Sequence, residues 1–380
     1  MNQQPLSNAS ATSAIADSSS SPDATEPALS SAAALSWASP EREAAFLAWL
    51  AAQPSTLGLN AHSAKLASAD ASFRRYLRID SSQGPLIVMD APPALEDVRP
   101  FLDIGQRLRE AGLHVPKVLA QDERQGFLLL EDLGSRLYLK AFSSADSADV
   151  DRWMREALTA LVQMQLHTRT EGLPSFDAAM LQREMDLFPQ WCVEREFGIT
   201  WTAAEQAQWQ AVCQTLIDSA LAQSTVFVHR DWMPRNLMIC EPNPGVLDFQ
   251  DAVQGPATYD MACLLRDAFW SWDDEAREID WAVRWWQLAR QAGLALPDDF
   301  GDVWRQIEWM GAQRHLKVAG IFCRLKHRDG KGHYAQDLPR FFNYLTKVAM
   351  RYRPLAGLLR LLEPMSERLD APRVSTGYTF

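Results

Sequence analysis

The sequence predicts an α+β chain in two lobes, a small antiparallel β-lobe over residues 36–133 and a larger, mainly helical lobe over residues 134–380. Three observations carry that expectation. The first part of the chain breaks into short runs of apolar and β-branched residues set off by turn residues, as strands do. From about Ser143 onward apolar residues recur at helical spacing instead. A chain of 380 residues also exceeds what one hydrophobic core usually serves, so two lobes plus a tail are expected.

Residues 1–35 are dominated by Ser, Ala, Thr and Pro. No periodic apolar face runs through them, so burial cannot offset the entropy of ordering, and a disordered tail is expected. Over 40–52, Glu41, Arg42 and Glu43 precede Phe46, Leu47, Trp49 and Leu50, the pattern of a short amphipathic helix that opens the folded part. Residues 66–79 read as strand, small-residue turn and strand, with Ala69, Ala71 and Ser72 in the turn; a third strand, 86–93, follows the turn from Ser81 to Gly84. Within 95–111, Val98, Phe101, Leu102, Ile104 and Leu108 keep helical spacing, and Gly112 stands just past the end, where a helix stops. Strands over 115–119 and 126–134 complete the lobe, the second leading out of it. The remainder reads as helices over 150–167, 180–197, 203–223, 261–272, 278–292, 302–328 and 338–352. Trp270, Trp272, Trp281 and Trp285 are among the tryptophans that crowd this lobe; such rings stack on sugars or simply fill a core.

One stretch interrupts the helical texture. Between residues 226 and 251, short apolar runs flank polar clusters and give strand, loop, strand, turn, strand, with acids at the loop mouths. It reads Val226-Phe227-Val228-His229-Arg230-Asp231, then Asn236-Leu237-Met238-Ile239, then Val246-Leu247-Asp248-Phe249. Phosphoryl transfer needs this placement. One carboxylate accepts or orients the proton of the attacking hydroxyl, while an amide oxygen and a second carboxylate hold magnesium over the phosphates. Asp231 fits the first role, and Asn236 and Asp248 the second.

His229, Asp231 and Asn236 match the catalytic-loop pattern of protein kinases and of the aminoglycoside and choline phosphotransferases; Asp248, 17 positions past Asp231, falls where their second metal-binding Asp falls. The continuation Gly255-Pro256-Ala257-Thr258-Tyr259-Asp260-Met261-Ala262-Cys263-Leu264 is similar to that family's descent into a helix. The whole segment resembles the bacterial kinases that phosphorylate the anomeric hydroxyl of N-acetylmuramate and N-acetylglucosamine in cell-wall recycling. That resemblance implies a protein-kinase-like bilobal fold, ATP as phosphoryl donor, Mg2+ as cofactor, and direct transfer to an amino-sugar hydroxyl. It also implies that the loop around Ser72 covers the nucleotide phosphates. Adenine would hydrogen-bond to the backbone of Glu131 and Leu133, whose polar groups lose their strand partners as the chain leaves the sheet.

The chain departs from the family at the end of its third strand, where relatives place Lys or Arg against the α and β phosphates and this sequence has Met89 or Asp90. Either Arg75 or Arg78 supplies the charge, or magnesium and loop amides carry it, or nucleotide binding is weak. Arg74, Arg75 and Arg78 are alternatively solvated charges at a sheet edge. For the acceptor, Arg314 and Lys317 share a helix face and are candidates for the lactyl carboxylate of N-acetylmuramate, together with Arg266 and Asp267; each alternatively forms an internal ion pair. The alternative functions are another small-molecule phosphotransferase, acting on an aminoglycoside, choline or homoserine, and a nucleotide-binding pseudokinase scaffold.

Composition agrees with a small-molecule enzyme. A formal net charge of -11 and a pI near 5.2 leave no basic stripe to neutralise a nucleic acid. The five Cys have no metal-ligand spacing and read as reduced core thiols. No apolar run approaches the roughly 18 residues of a membrane span, and the amino terminus lacks the basic stretch and apolar core of a signal peptide. A cytoplasmic monomer without nucleic-acid or membrane partners is expected.

Overall fold

Alternation along short apolar strands builds the first lobe. The computed structural model describes residues 35–69, 73–272 and 274–369, so the tail expected over 1–34 and the loop residue Ser72 lie outside the described residues. Helix α1 (Pro40–Ala51) begins at Ser39, whose hydroxyl accepts the N–H of Arg42 at 3.2 Å, a typical N-cap. Strands β1 (Asn60–Ala69), β2 (Arg75–Asp80) and β3 (Leu86–Asp90) follow, then helix α2 (Arg99–Glu110) and strands β4 (Val118–Asp122) and β5 (Phe127–Glu131). The sheet runs β1-β2-β3-β5-β4 with every neighbour antiparallel.

The two faces of the sheet serve different cores, as a period of two dictates. Leu77, Ile79, Val88, Phe127 and Leu129 point one way and bury Phe46, Trp49 and Leu50 of α1, each such side chain contributing roughly 1.5–3 kcal/mol. Met89, Leu128 and Leu130 point the other way, onto Phe101, Ile104 and Leu108 of α2. That second core continues into the helical lobe through Trp153, Leu158 and Leu161, so one apolar body spans both lobes.

The second lobe is helical around a small strand insert. Helices α3 (Tyr138–Phe142), α4 (Ser147–His167), α5 (Ala178–Met185) and α6 (Ala203–Leu221) lead to strand β6 (Thr225–Val228); short strands β7 (Leu237–Met238), β8 (Gly245–Val246) and β9 (Val253–Pro256) follow. Strand β6 pairs with β9, and β7 with β8. Helices α7 (Tyr259–Leu265), α8 (Glu275–Gln291), α9 (Phe300–Asp329), α10 (Leu338–Arg351) and α11 (Ala356–Ser366) complete the chain. Trp281, Trp285 and Trp304 are core residues.

Two expected helices come out differently, each for a local reason. The helix expected over 180–197 is α5 followed by a π-helical segment, Phe188–Glu196, because Pro189 lacks the N–H that would continue the α ladder. Helix α9 packs closely on that junction, where a Cβ on Gly320 would stand 2.4 Å from the Leu187 backbone. The helix expected over 261–272 stops at Leu265, since Asp267 accepts the N–H groups of Phe269 (2.6 Å) and Trp270 (2.8 Å) and turns the chain. No helix among the described residues is long and apolar enough to cross a membrane.

Candidate active site

A buried carboxylate fixes the way the chain leaves β6. Asp260, in the first turn of α7, accepts the backbone N–H groups of His229 (2.7 Å) and Arg230 (3.0 Å). Burial pushes its pKa up to about 7, against the pull of those two donors. Held this way, Arg230 takes a φ of 76°, left-handed backbone that a residue with a side chain adopts only under constraint. The Arg230 guanidinium pairs with Glu184 of α5, which also accepts from Gln313 (3.1 Å) and lies 3.3 Å from Lys317 Nζ.

The turn delivers Asp231 to the edge of the loop with 33% of its side chain exposed. Its N–H donates to His229 Nδ1 at 3.2 Å. Burial lowers the His229 imidazole to about 4, so the ring is neutral near pH 7 and braces the loop as an acceptor.

Asn236 closes the 3-10 turn Pro234–Asn236 and donates from Nδ2 to the Asp231 carbonyl (3.0 Å) and to Asp248 Oδ2 (3.4 Å). Gln250 holds the other carboxylate oxygen of Asp248 at 2.8 Å, and Asp248 itself sits at φ 60°. The structure therefore gathers Asp231, Asn236 and Asp248 in one place. Both hydrogen bonds of Asn236 use its nitrogen, which leaves the amide oxygen for a cation beside the Asp248 carboxylate. This hard, all-oxygen donor pair fits Mg2+. Among the described residues no three His, Cys, Asp or Glu side chains gather as a metal site. Phe249 then runs into the core, its ring 4.8 Å from that of Phe101, over Gly105 of α2, where a Cβ would meet the ring at 3.2 Å.

The first lobe corrects the expected arginine. Arg75 shares the α1 face of β2 with Leu77 and Ile79, and its guanidinium clasps Asp90 (2.5 and 3.0 Å) opposite Arg42, which holds the other Asp90 oxygen. Asp90 is 1% exposed, so the acid at the family's lysine position belongs to a buried clasp beneath α1 and not to the phosphate side of the sheet. Arg78 faces the other way but is spent on the exit from β5, bonded to Asp132 (2.5 and 2.9 Å) and to the Gly134 carbonyl (2.7 Å). Arg74, just before β2, lies 3.7 Å from Glu96, which also accepts the N–H of Phe73 at 3.0 Å, and is a further candidate cation in this lobe. The Glu131 N–H donates to the Lys117 carbonyl at 2.9 Å, so a nucleobase contact at Glu131 falls to its carbonyl. Among the described residues none hydrogen-bonds the backbone of Leu133, as the exit from a sheet requires for a nucleobase contact.

The four expected acceptor residues are all buried. Arg266 lies in an ion-pair cluster with Glu278, Glu275 and Glu308. Asp267 spends Oδ1 on two backbone donors, and burial raises its pKa. Lys317 is held by Glu184 and by the hydroxyl of Tyr259 (3.1 Å). Arg314 alone approaches the loop, with Nη2 3.9 Å from Asp231 Oδ1. Internal pairing, the alternative open at the outset, thus describes Arg266 and Lys317. A cavity of about 560 Å3 opens between the π-helical segment and α6, lined by Trp201, Trp209, Gln206 and Gln210, and no residue of the catalytic loop lines it.

Comparison with known proteins agrees with this geometry. The chain is similar to the N-acetylmuramate/N-acetylglucosamine kinase of Pseudomonas putida, at 52% identity over 296 residues covering 78% of this chain and 86% of the relative. It is similar to the enzyme of the same description from Neisseria meningitidis at 45% identity over 316 residues, 83% and 93% of the two chains. In fold alone it resembles a choline kinase from Streptococcus pneumoniae, with a TM-score of 0.58 at 13% identity over 82% of this chain and 99% of that one. The pattern of the phosphotransferase enzyme family matches residues 63–295, which take in the strand lobe, the catalytic loop and the Asn236–Asp248 pair, and the chain belongs to that family.

Proposed function

We propose that this protein is an ATP-dependent kinase that phosphorylates the anomeric hydroxyl of N-acetylmuramate and N-acetylglucosamine in peptidoglycan recycling. The observation that carries the chemistry is the convergence of Asp231, Asn236 and Asp248, tied by hydrogen bonds of 3.0 and 3.4 Å from one amide. The two acceptor sugars are inferred from relatives of 52% and 45% identity named as N-acetylmuramate/N-acetylglucosamine kinases, and the anomeric position from the resemblance of the 226–264 segment.

Asp231 orients the attacking hydroxyl. An anomeric hydroxyl is more acidic than an ordinary alcohol, so the carboxylate serves by holding the O–H in line with the phosphoryl group and taking its proton as the new O–P bond forms and the bond from the γ phosphorus to the bridging oxygen breaks, releasing ADP. His229 and Asp260 keep that carboxylate in place through the loop backbone. The Asn236 amide oxygen and the Asp248 carboxylate would hold Mg2+, which supplies charge neutralisation between the β and γ phosphates. Arg74, steadied by Glu96, faces the phosphates in place of the family's strand lysine, and the free Leu133 backbone receives the nucleobase. Loss of water from the closed cleft strengthens each of these contacts.

The test is product identification. Enzyme, ATP and Mg2+ are incubated with N-acetylmuramate, N-acetylglucosamine, choline, homoserine and an aminoglycoside, and the products are read by phosphorus and proton NMR. The proposal expects a phosphate coupled to the anomeric proton with the two amino sugars. Phosphorylation of an amine-bearing alcohol instead, or of nothing, refutes it.

A further inference from the structure

The buried guanidinium of Arg314 is out of proportion to its surroundings. It stands mid-way along α9, 1% exposed, yet its one oxygen acceptor among the described residues, the Arg266 carbonyl, is a long 3.5 Å from Nη1, and Nη2 donates to the weak acceptor sulfur of Met233 (3.5 Å). Other buried cations here are closely paired: Arg266 contacts Glu278, and Lys317 lies 3.3 Å from Glu184. A charge withdrawn from water without a tight partner is costly, and folding tolerates it where the charge serves something else. The nearest carboxylate to Arg314 is Asp231, whose Oδ1 lies 3.9 Å from Nη2. Among the described residues no side chain or backbone group hydrogen-bonds the Asp231 carboxylate, and this ion pair is its nearest charged contact.

We propose that Arg314 is a positioning residue for Asp231: its guanidinium holds Oδ1 from inside the core and so turns Oδ2 toward the acceptor hydroxyl. The inference rests on the reading of Asp231 as the hydroxyl-orienting group. Met233, two positions past Asp231, matters because its sulfur receives the guanidinium and keeps it against the loop. Arg314 is rigid for the same reason that it is hidden. Helix α9 around it is buried at Gln313, His315 and Leu316, and His315 Nε2 engages the same Arg266 carbonyl at 3.1 Å. A carboxylate steered by a fixed charge loses less freedom when the hydroxyl binds, and its misplacement by an ångström costs about 100-fold in turnover. No substrate contact by Arg314 is needed.

Three variants test this: Arg314→Met, Asp231→Asn and the double variant, each checked for folding by circular dichroism. Arg314→Met is expected to lower kcat about 100-fold while KM for sugar and for ATP stays within about threefold, and Arg314→Lys is expected to recover about tenfold of the loss. In the Asp231→Asn background the same substitution is expected to change the residual kcat by less than about twofold, because a residue acting only through Asp231 has nothing left to act on. The inference is overturned by wild-type kcat in folded Arg314→Met, by a loss confined to the sugar KM, or by equal fractional losses in both backgrounds. If Arg314→Met does not fold, Arg314→Lys enters the same cycle: a kcat loss present with Asp231 and absent with Asn supports the inference, and equal losses overturn it. Wild-type turnover by Asp231→Asn alone is a separate result, and refutes the underlying reading of Asp231.

Discussion

Replacing Asp260 by Asn is expected to make the protein more stable and less active at once. Burial lifts this carboxyl from 3.8 to about 7, so its folded pKa lies above its unfolded one. An acid shifted upward contributes stability that is fully present below the unfolded pKa and is lost as pH rises through the folded pKa. The window is therefore about pH 4 to 7, and above it the ionised carboxylate costs about 4 kcal/mol. Asn carries no charge to desolvate. Its side chain offers one acceptor where His229 and Arg230 present two N–H groups, so one buried donor goes unsatisfied at about 1–3 kcal/mol. The balance favours Asp260→Asn by roughly 1–3 kcal/mol above pH 8, and turns against it by about the same amount below pH 4. Turnover moves the other way: Arg230 is released from φ 76°, Asp231 shifts with it, and kcat falls about 10- to 100-fold. The assays are urea unfolding midpoints at pH 5 and pH 8 and steady-state kcat at pH 8. Equal destabilisation at both pH values, or an unchanged kcat, would refute the clamp.

Four further substitutions separate structural from functional groups. Arg74→Met is expected to raise the ATP KM about tenfold, as loss of one charge-assisted contact would, whereas Arg75→Met leaves it within about twofold; initial rates over a range of ATP decide. Asp90→Asn opens the clasp with Arg42 and Arg75 and is expected to cost about 3 kcal/mol in urea unfolding while kcat per folded molecule stays the same. Gly105→Leu drives a side chain against Phe249, 3.2 Å from where a Cβ would sit, and is expected to raise the Mg2+ needed for half-maximal rate because Asp248 precedes that ring; a magnesium titration reads it.

The catalytic loop was legible because its motif specifies residue types at a fixed spacing, so Asp231, Asn236 and Asp248 could be named without knowing any distance. Strand β2 held its own answer: Arg75 alternates in phase with Leu77 and Ile79, which must face a core, and Arg78 points the other way. Naming Arg75 and Arg78 together as candidates missed that phase. The acid at Asp90 looked like a defect for the same reason, until Arg42 on α1 supplied its partner from 48 positions away. The basic residues of α9 were legible only as two open alternatives, acceptor contact or internal ion pair. A polar run from Gln313 to Lys317 resembles an exposed helix face, and only Glu184 and Tyr259, brought in from other helices, make it a buried one. Asp260 stood in plain view within the family's Tyr-Asp pair, but its two backbone donors are a tertiary fact.

Isothermal calorimetry of Mg-ATP binding alongside turnover on N-acetylglucosamine, for wild type and Asp231→Asn, probes the division of labour most directly. If Asp231 orients the acceptor while Asn236 and Asp248 serve the nucleotide, the variant binds Mg-ATP within about threefold of wild type and loses about 1,000-fold or more in kcat. Turnover persisting at the wild-type rate would contradict the assignment, and so would nucleotide binding lost together with it.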